Sequence, residues 1–303
     1  MEPEYVKLVS FIEALTGCRL EDDKLYLLDS RLGAIMRRYG LDTYNQVADR
    51  LQAGRDKVFN NAVIDKITTH ETRFFRDESI FHGLVMQIIP EWMKRNNIAM
   101  SSLYGAALPV SDSAGTLGLG AAVGVPGKNL SIWSGACSTG QEPYSIAMLL
   151  NEKMPLMGKI TTIYATDISE VAIEKAREGI YSRFEIGRGL PEMYLKKYFT
   201  ELDENRYQIN AFIRSKVKFA PHNLITDVFP KQNDIVLCRN VAIYFAEEQK
   251  KLLYENLRRA LVHDGVLILG SAESLCGYLE NFVIREFGLS RYYELNASQV
   301  FMF

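Results

Sequence analysis

Along the first part of the chain, apolar residues recur every three or four positions. In "EYVKLVSFIEALTG", Val6, Val9, Ile12 and Leu15 fall close to one face, and the pattern stops at Gly17. In "DKLYLLDSRLGAIMRRYG" the stripe is Leu25, Leu28, Leu32, Ile35, Met36 and Tyr39, and it stops at Gly40. This is the period of an amphipathic helix closed by a glycine. Two shorter helical patterns follow over 43–53 and 56–67, so residues 4 to about 70 read as an all-helical unit. "SIFHGLVMQIIPEWMKRN" predicts a further helix, bent near Pro90.

Residues 97–129, "NIAMSSLYGAALPVSDSAGTLGLGAAVGVPGK", are rich in Gly, Ala and Ser and read as a flexible surface insertion. From 130 on the rhythm changes to alternating strands and helices. Strands are expected at 130–133, 160–165, 216–219, 234–238 and 265–270, and "SRYYELNASQVFMF" reads as a hairpin about Asn296, Ala297 and Ser298. The fold class is therefore α/β: a doubly wound, mostly parallel sheet with a terminal antiparallel hairpin, preceded by an N-terminal all-helical domain. Between 181 and 218 the alternation breaks, and "RYQIN" and "KVKFA" suggest a small β-subdomain inserted there. The division expected is 1–75 for the helical domain and 76–303 for the α/β domain.

Composition narrows the function. A formal charge of −2 over 303 residues gives no electrostatic footprint for nucleic acid. Cys18, Cys137, Cys238 and Cys276 show no metal-ligand spacing, which suits reduced thiols, and we expect no metal. "MEPEYVKLVS" lacks the apolar core of a signal peptide and no run approaches a membrane span, so the expected location is cytoplasmic, without membrane insertion.

Candidate chemistry lies at the expected strand ends, where α/β sheets bind ligands. "SIWSGACSTGQEPYSIAMLL" is a strand, a small-residue bend and a helix, but neither GxxxxGK[ST] nor a clean GxGxxG. Glu142 at that bend would repel a phosphate and welcome a cation, or simply sit in a helix first turn. Asp167, ending "TTIYATD", can accept two hydrogen bonds from a ribose diol or cap the next helix, a task open equally to Ser169. Asn223 follows the third strand, and Arg239 and Asn240 the fourth. Together these describe a pocket for a ribonucleoside with a cationic end, the form of S-adenosylmethionine.

In "TTHETRFFRDESIFHGL", position 74 is Phe, so the His70-Glu71 pair is not the start of a zinc-binding HExxH. Thr68, Thr69 or Thr72 could cap the next helix, and Arg76 could be a surface charge or a carboxylate clamp. "TTHETRFFRD", "WSGACSTGQEPYSIAM", "ATDIS" and "CRNVAIYF", in this order, resemble the CheR-type chemoreceptor glutamate O-methyltransferases. The resemblance implies a class I methyltransferase sheet and transfer of a methyl group from S-adenosylmethionine to receptor glutamates, with S-adenosylhomocysteine as product. It places Thr72 and Arg76 at the methionine carboxylate, Glu142 at its amino group and Asp167 at the ribose. Asn223 and Leu224 would line the adenine site, and Arg239 and Asn240 would complete the pocket. Tyr244 would lie near the methyl, so that Arg76 and Tyr244 are the catalytic candidates. His70, where the family often has Asn, falls at the cofactor site.

A glutamate is ionised at neutral pH, so no strong general base is required. The partners implied are the cytoplasmic methylation helices of methyl-accepting chemotaxis receptors. Arg31, Arg37 and Arg38 on the second helix offer a basic face for docking them, or an ordinary solvated face. "TELDENRYQINAFIRSK" turns tightly at "DEN" and resembles family versions without the loop that tethers a receptor C-terminal pentapeptide, so no such tether is expected. The alternatives are a methyltransferase of the same fold acting on another protein or a small molecule, and a non-catalytic cofactor-binding sensor.

Overall fold

The structure is a computed structural model that describes residues 3–20, 26–99, 110–111, 117–118 and 128–296. Four helices open the chain: α1 (Pro3–Thr16), α2 (Tyr26–Tyr39), α3 (Tyr44–Ala53) and α4 (Lys57–Ile67). Their ends follow local chemistry. Thr43 and Gln46 form a capping box at the start of α3, Gly54 closes it at φ 64°, and Asp56 caps α4 by accepting from Phe59 N–H. The apolar stripes meet in one cluster that includes Leu8, Ile12, Leu28, Leu32, Val47, Phe59 and Val63. The face of α1 is rotated from the expected one: Leu8 is buried, whereas Val6 is exposed. Leu25 lies outside the described residues.

The next helix, α5, runs over 78–95 and holds a π turn, Leu84–Ile88, just before Pro90. Proline has no N–H to donate, and the wider turn shifts the helical register around it. Of the expected flexible insertion, all but its ends and a two-residue antiparallel ladder (Val110–Ser111 with Leu117–Gly118) lies outside the described residues.

The main sheet has seven strands: β1 (Leu130–Gly135), β2 (Thr161–Asp167), β3 (Val217–Pro221), β4 (Asn233–Cys238), β5 (Leu261–Leu269), β6 (Phe282–Phe287) and β7 (Ser290–Leu295). Their order is β6-β7-β5-β4-β1-β2-β3. β1 to β5 are parallel, and β7 is antiparallel to both β5 and β6. β4 is buried along its whole length, as a parallel strand covered on both faces must be. Alternation sorts side chains to two cores. Ile132, Ile235 and Ile268 face one cluster, and Trp133, Val236 and Leu267 face the other. Helix α6 (Gln141–Lys153) packs in the first and α8 (Glu247–Ala260) in the second.

Two sequence expectations are corrected. The hairpin lies one strand earlier than expected: β6 and β7 turn at Gly288 and Leu289, and the run after Asn296 lies outside the described residues. "KVKFA" is β3 of the main sheet, as the strand expected at 216–219 implied, and is not part of the small sheet into which it was also read. The small sheet is built from Ile180–Ser182, Phe199–Asp203 and Arg206–Ile209, with the last in the centre. The β character of its other two strands escaped the pattern because each is short and has at most one buried residue. Among the described residues no helix is long and apolar enough to cross a membrane, and all four cysteines are free thiols.

Candidate active site

Strand order reverses between β1 and β4, and a cleft of about 890 Å³, its open mouth included, lies at their carboxyl ends. One wall is the strand-end loops. The other is the end of α1 and the segment after α4, from Thr16 and Cys18 and from Thr68 to Thr72. His70, Thr72, Arg76, Glu142, Asp167, Asn223, Leu224, Arg239, Asn240 and Tyr244, all singled out from sequence, line this one cleft. Backbone strain gathers here too. Phe75, Asp77, Ala136, Ser138 and Asn240 are five of the seven non-glycine residues with positive φ among the described residues. Left-handed geometry costs about 1–3 kcal/mol at such residues and persists where the surroundings over-determine it.

The small-residue bend folds back onto Asp167. Ser138 N–H donates to Asp167 Oδ2 at 2.8 Å, and Ser169 N–H to Oδ1 at 3.0 Å. Ser169, not Asp167, caps helix α7 (Glu170–Glu178), through a bond from Ala172 N–H. Each Asp167 oxygen therefore has accepting capacity left for a diol. Burial pushes this carboxyl above its ordinary value, and the two main-chain N–H groups oppose the rise.

Arg239, with its side chain only 2% exposed, bonds Glu142 Oε2 at 2.8 Å, Asp77 Oδ2 at 2.5 Å and the main-chain oxygen of Arg76 at 2.9 Å. Ser134 Oγ donates to the other oxygen of Glu142 at 2.7 Å. Two carboxylates on one guanidinium leave a net charge of −1, which suits a cationic ligand. Arg239 is thus a brace within the wall. Arg76 differs: among the described residues its recorded partner is the main-chain oxygen of Glu71, at 2.9 Å, and no carboxylate.

His70 Nε2 lies 3.1 Å from Asp65 O and 3.2 Å from Thr68 Oγ1, and Ser138 Oγ donates to the main-chain oxygen of His70. The Asn223 carboxamide donates to Leu15 O at 2.7 Å and accepts from Ile225 N–H, so its side chain fastens α1 to the cleft. Asn240 adopts φ 57° because Glu273 takes its N–H and those of Val241 and Gly270 at 2.7–3.0 Å. Tyr244 is 38% exposed and lines the cleft. Its main-chain oxygen accepts from Arg19 N–H. Arg31 stands apart from the cleft and bonds Ile67 O at the end of α4, while Arg37 and Arg38 are exposed in the last turn of α2.

One residue lining the cleft, His222, and two that brace its wall from behind, Asp77 and Glu273, were missed from sequence. Glu273 follows the logic used for Asp167, an acid just past a strand end, but the inventory stopped at β4. His222 is buried edge-on between Trp133 and Phe229, and burial lowers its pKa. Among the described residues no cluster of three or more His, Cys, Asp or Glu is placed to hold a metal ion.

Sheet order, strand-end cleft, a buried acid with free acceptor sites after β2 and a net-negative brace after β1 and β4 define a class I methyltransferase, with residues that fit S-adenosylmethionine. The comparisons agree. The model of the CheR methyltransferase SAM-binding domain matches residues 120–287, and that of the CheR methyltransferase all-alpha domain matches residues 3–68. Chemotaxis protein methyltransferase Cher2 of Pseudomonas putida is 32% identical over 277 residues, covering 90% of each chain. Chemotaxis protein methyltransferase 1 of Pseudomonas aeruginosa is 33% identical over 270 residues, covering 88% of each. The chain belongs to the CheR methyltransferase family, and S-adenosylmethionine is its methyl donor.

Proposed function

We propose that the protein methylates glutamate side chains on the cytoplasmic helices of chemotaxis receptors, giving methyl esters and S-adenosylhomocysteine. One observation carries the choice of acceptor: three groups that could serve as a base in the cleft, Glu142, Asp167 and His70, are already engaged, and a fourth, His222, is buried between two aromatic rings. Glu142 is held by Arg239 and Ser134, Asp167 by two main-chain N–H groups, and His70 beside Asp65 and Thr68. A hydroxyl or amine acceptor would need one of these four to take its proton. A carboxylate would not.

When bound, the cofactor supplies a methyl group on a sulfonium, open to direct attack by an ionised carboxylate. In this reading Asp167 holds the ribose, Glu142 the ammonium, Thr72 and Arg76 the carboxylate, and the 223–224 segment the adenine. Tyr244 lines the cleft, where its hydroxyl orients the acceptor, and the enclosed walls exclude water from two charges that neutralise each other. Docking of the receptor helix rests on the exposed Arg37 and Arg38, since Arg31 serves the end of α4. We also propose a cytoplasmic location, the division into domains at residue 75, supported by the separate core of residues 8–67, and no dependence on a receptor C-terminal pentapeptide.

The test is incubation with tritiated S-adenosylmethionine and receptor-containing membranes. Label on the receptor that alkali releases as methanol is expected. Alkali-stable label would redirect the reading to another acceptor group, and cofactor binding without any transfer would make the protein a sensor.

A further inference from the structure

At the rim of the cleft two arginines engage Glu71, with Arg73 exposed two residues along the chain. Arg188 makes a two-point ion pair with Glu71, Nη1 to Oε2 at 3.3 Å and Nη2 to Oε1. Arg76 donates to the main-chain oxygen of the same residue. Arg188, Arg76 and Arg73 together hold the Glu71 carboxyl below its ordinary range, the hydrogen bond from Arg188 contributing most. Three positive groups against one negative leave this rim cationic, beside a cleft whose inner brace is anionic.

The position of Arg188 does not depend on its ion pair. Gly189, at φ 89°, lies so close to the 71–75 segment that a Cβ there would stand 2.3 Å from Phe74 O. The backbone therefore delivers Arg188 to the rim whether or not Glu71 holds it. The guanidinium also lies 5.6 Å from the ring centroid of Phe184, which is 72% exposed. The rim thus offers arginines and a bare aromatic face side by side. That combination fits an amphipathic segment bearing carboxylates.

We propose that Arg73 and Arg188 grip the acidic acceptor segment on either side of Arg76, and that Glu71 is an internal stand-in that occupies Arg188 until a carboxylate of the acceptor replaces it. This rests on the glutamate-methylating reading above. An exposed bidentate pair suits such an exchange, because water and a competing carboxylate both reach it and its net stabilisation is small.

The exchange makes opposite predictions for the two halves of one ion pair. Arg188→Gln and Arg73→Gln should each raise KM for the receptor by about three- to fivefold, the range of an exposed charge pair, and leave S-adenosylhomocysteine affinity unchanged by calorimetry. Glu71→Gln removes the competitor and should lower KM for the receptor. A glutamate-bearing helical peptide, titrated by fluorescence anisotropy, should give the same pattern of signs without turnover. If Glu71→Gln and Arg188→Gln weaken acceptor binding alike, the pair is a structural clasp and the proposal fails. It fails equally if neither changes KM or peptide affinity. Failure of the wild-type protein to label receptors would count against the glutamate reading, and the peptide titration would still decide the rim.

Discussion

Arg239→Met tests the brace on which the cleft depends. Arg239 has a side chain 2% exposed, and its partners Glu142 and Asp77 have side chains 13% and 28% exposed. Removing the cation leaves two carboxylates facing one another with little water to separate them. Breaking a buried ion pair in this way costs about 3–5 kcal/mol, and the partial exposure of Asp77 places the expectation near the lower limit. For a chain of this size that loss corresponds to a melting temperature lower by about 6–12 °C. Denaturant titration and calorimetry read the stability, and S-adenosylhomocysteine titration reads the site. The triple variant Arg239→Met/Glu142→Gln/Asp77→Asn separates charge from packing. Neutralising the stranded acids should restore most of the stability, since a buried pair replaced as a whole is close to neutral. It should not restore cofactor affinity, because the net negative charge is gone. A single variant that loses less than about 1 kcal/mol, or a triple variant no more stable than the single, would refute this account of the brace.

Two further outcomes follow from buried titratable groups. Asp167→Asn should weaken S-adenosylhomocysteine binding by about 2–4 kcal/mol, the range for charge-assisted bonds in a partly closed site; unchanged affinity by calorimetry would remove Asp167 from the pocket assignment. His222 has its pKa lowered by burial from an ordinary 6.5, so the unfolded chain takes up a proton more readily than the folded one. Its contribution to stability is therefore full above pH 6.5 and falls as pH drops through that value. The melting temperature of His222→Gln should fall less steeply than that of the wild type on acidification through that range, and parallel slopes would show that His222 does not carry the effect.

The parts of the fold legible in the sequence are those in which one local cause dominates. Buried parallel strands such as "NDIVLC" read as continuous apolar runs, and Gly40 and Gly54 mark helix ends because a left-handed cap favours glycine. The hairpin was misplaced because Phe282–Phe287 has no buried residue and its turn residues, Gly288 and Leu289, are a weak turn signal next to "NAS". The cleft residues could be collected from strand ends, but their partners could not. Nothing local in "CRNVAIYF" says that Arg239 spans two carboxylates 162 and 97 residues away. Nothing in "HETRFFRD" says that Glu71 meets Arg188. Spacing reports which groups are present at the site, and only the long-range packing reports which of them remain free to act.

That packing also explains why a helical domain with its own core is joined to a sheet domain that already has a binding crevice. Lys57 and Asn61 of α4 reach Glu170 at 2.7 and 2.6 Å, Ser169 Oγ donates to Asp65 at 2.8 Å, Asn223 holds Leu15, and Arg19 N–H holds Tyr244. Ser169 and Glu170 lie two and three residues past Asp167, and Asn223 and Tyr244 are themselves in the cleft wall. The clasps between the domains are polar bonds that water can replace, so on their own they stabilise the docked arrangement only modestly. A ligand in the cleft touches both walls and adds its binding free energy to that arrangement. Helix α2 is tied to the same wall, because Arg31 bonds Ile67, the residue next to Thr68 at the cleft. Cofactor binding therefore acts on a surface that the two domains share, and the helical domain supplies one wall of the site that holds the methyl donor.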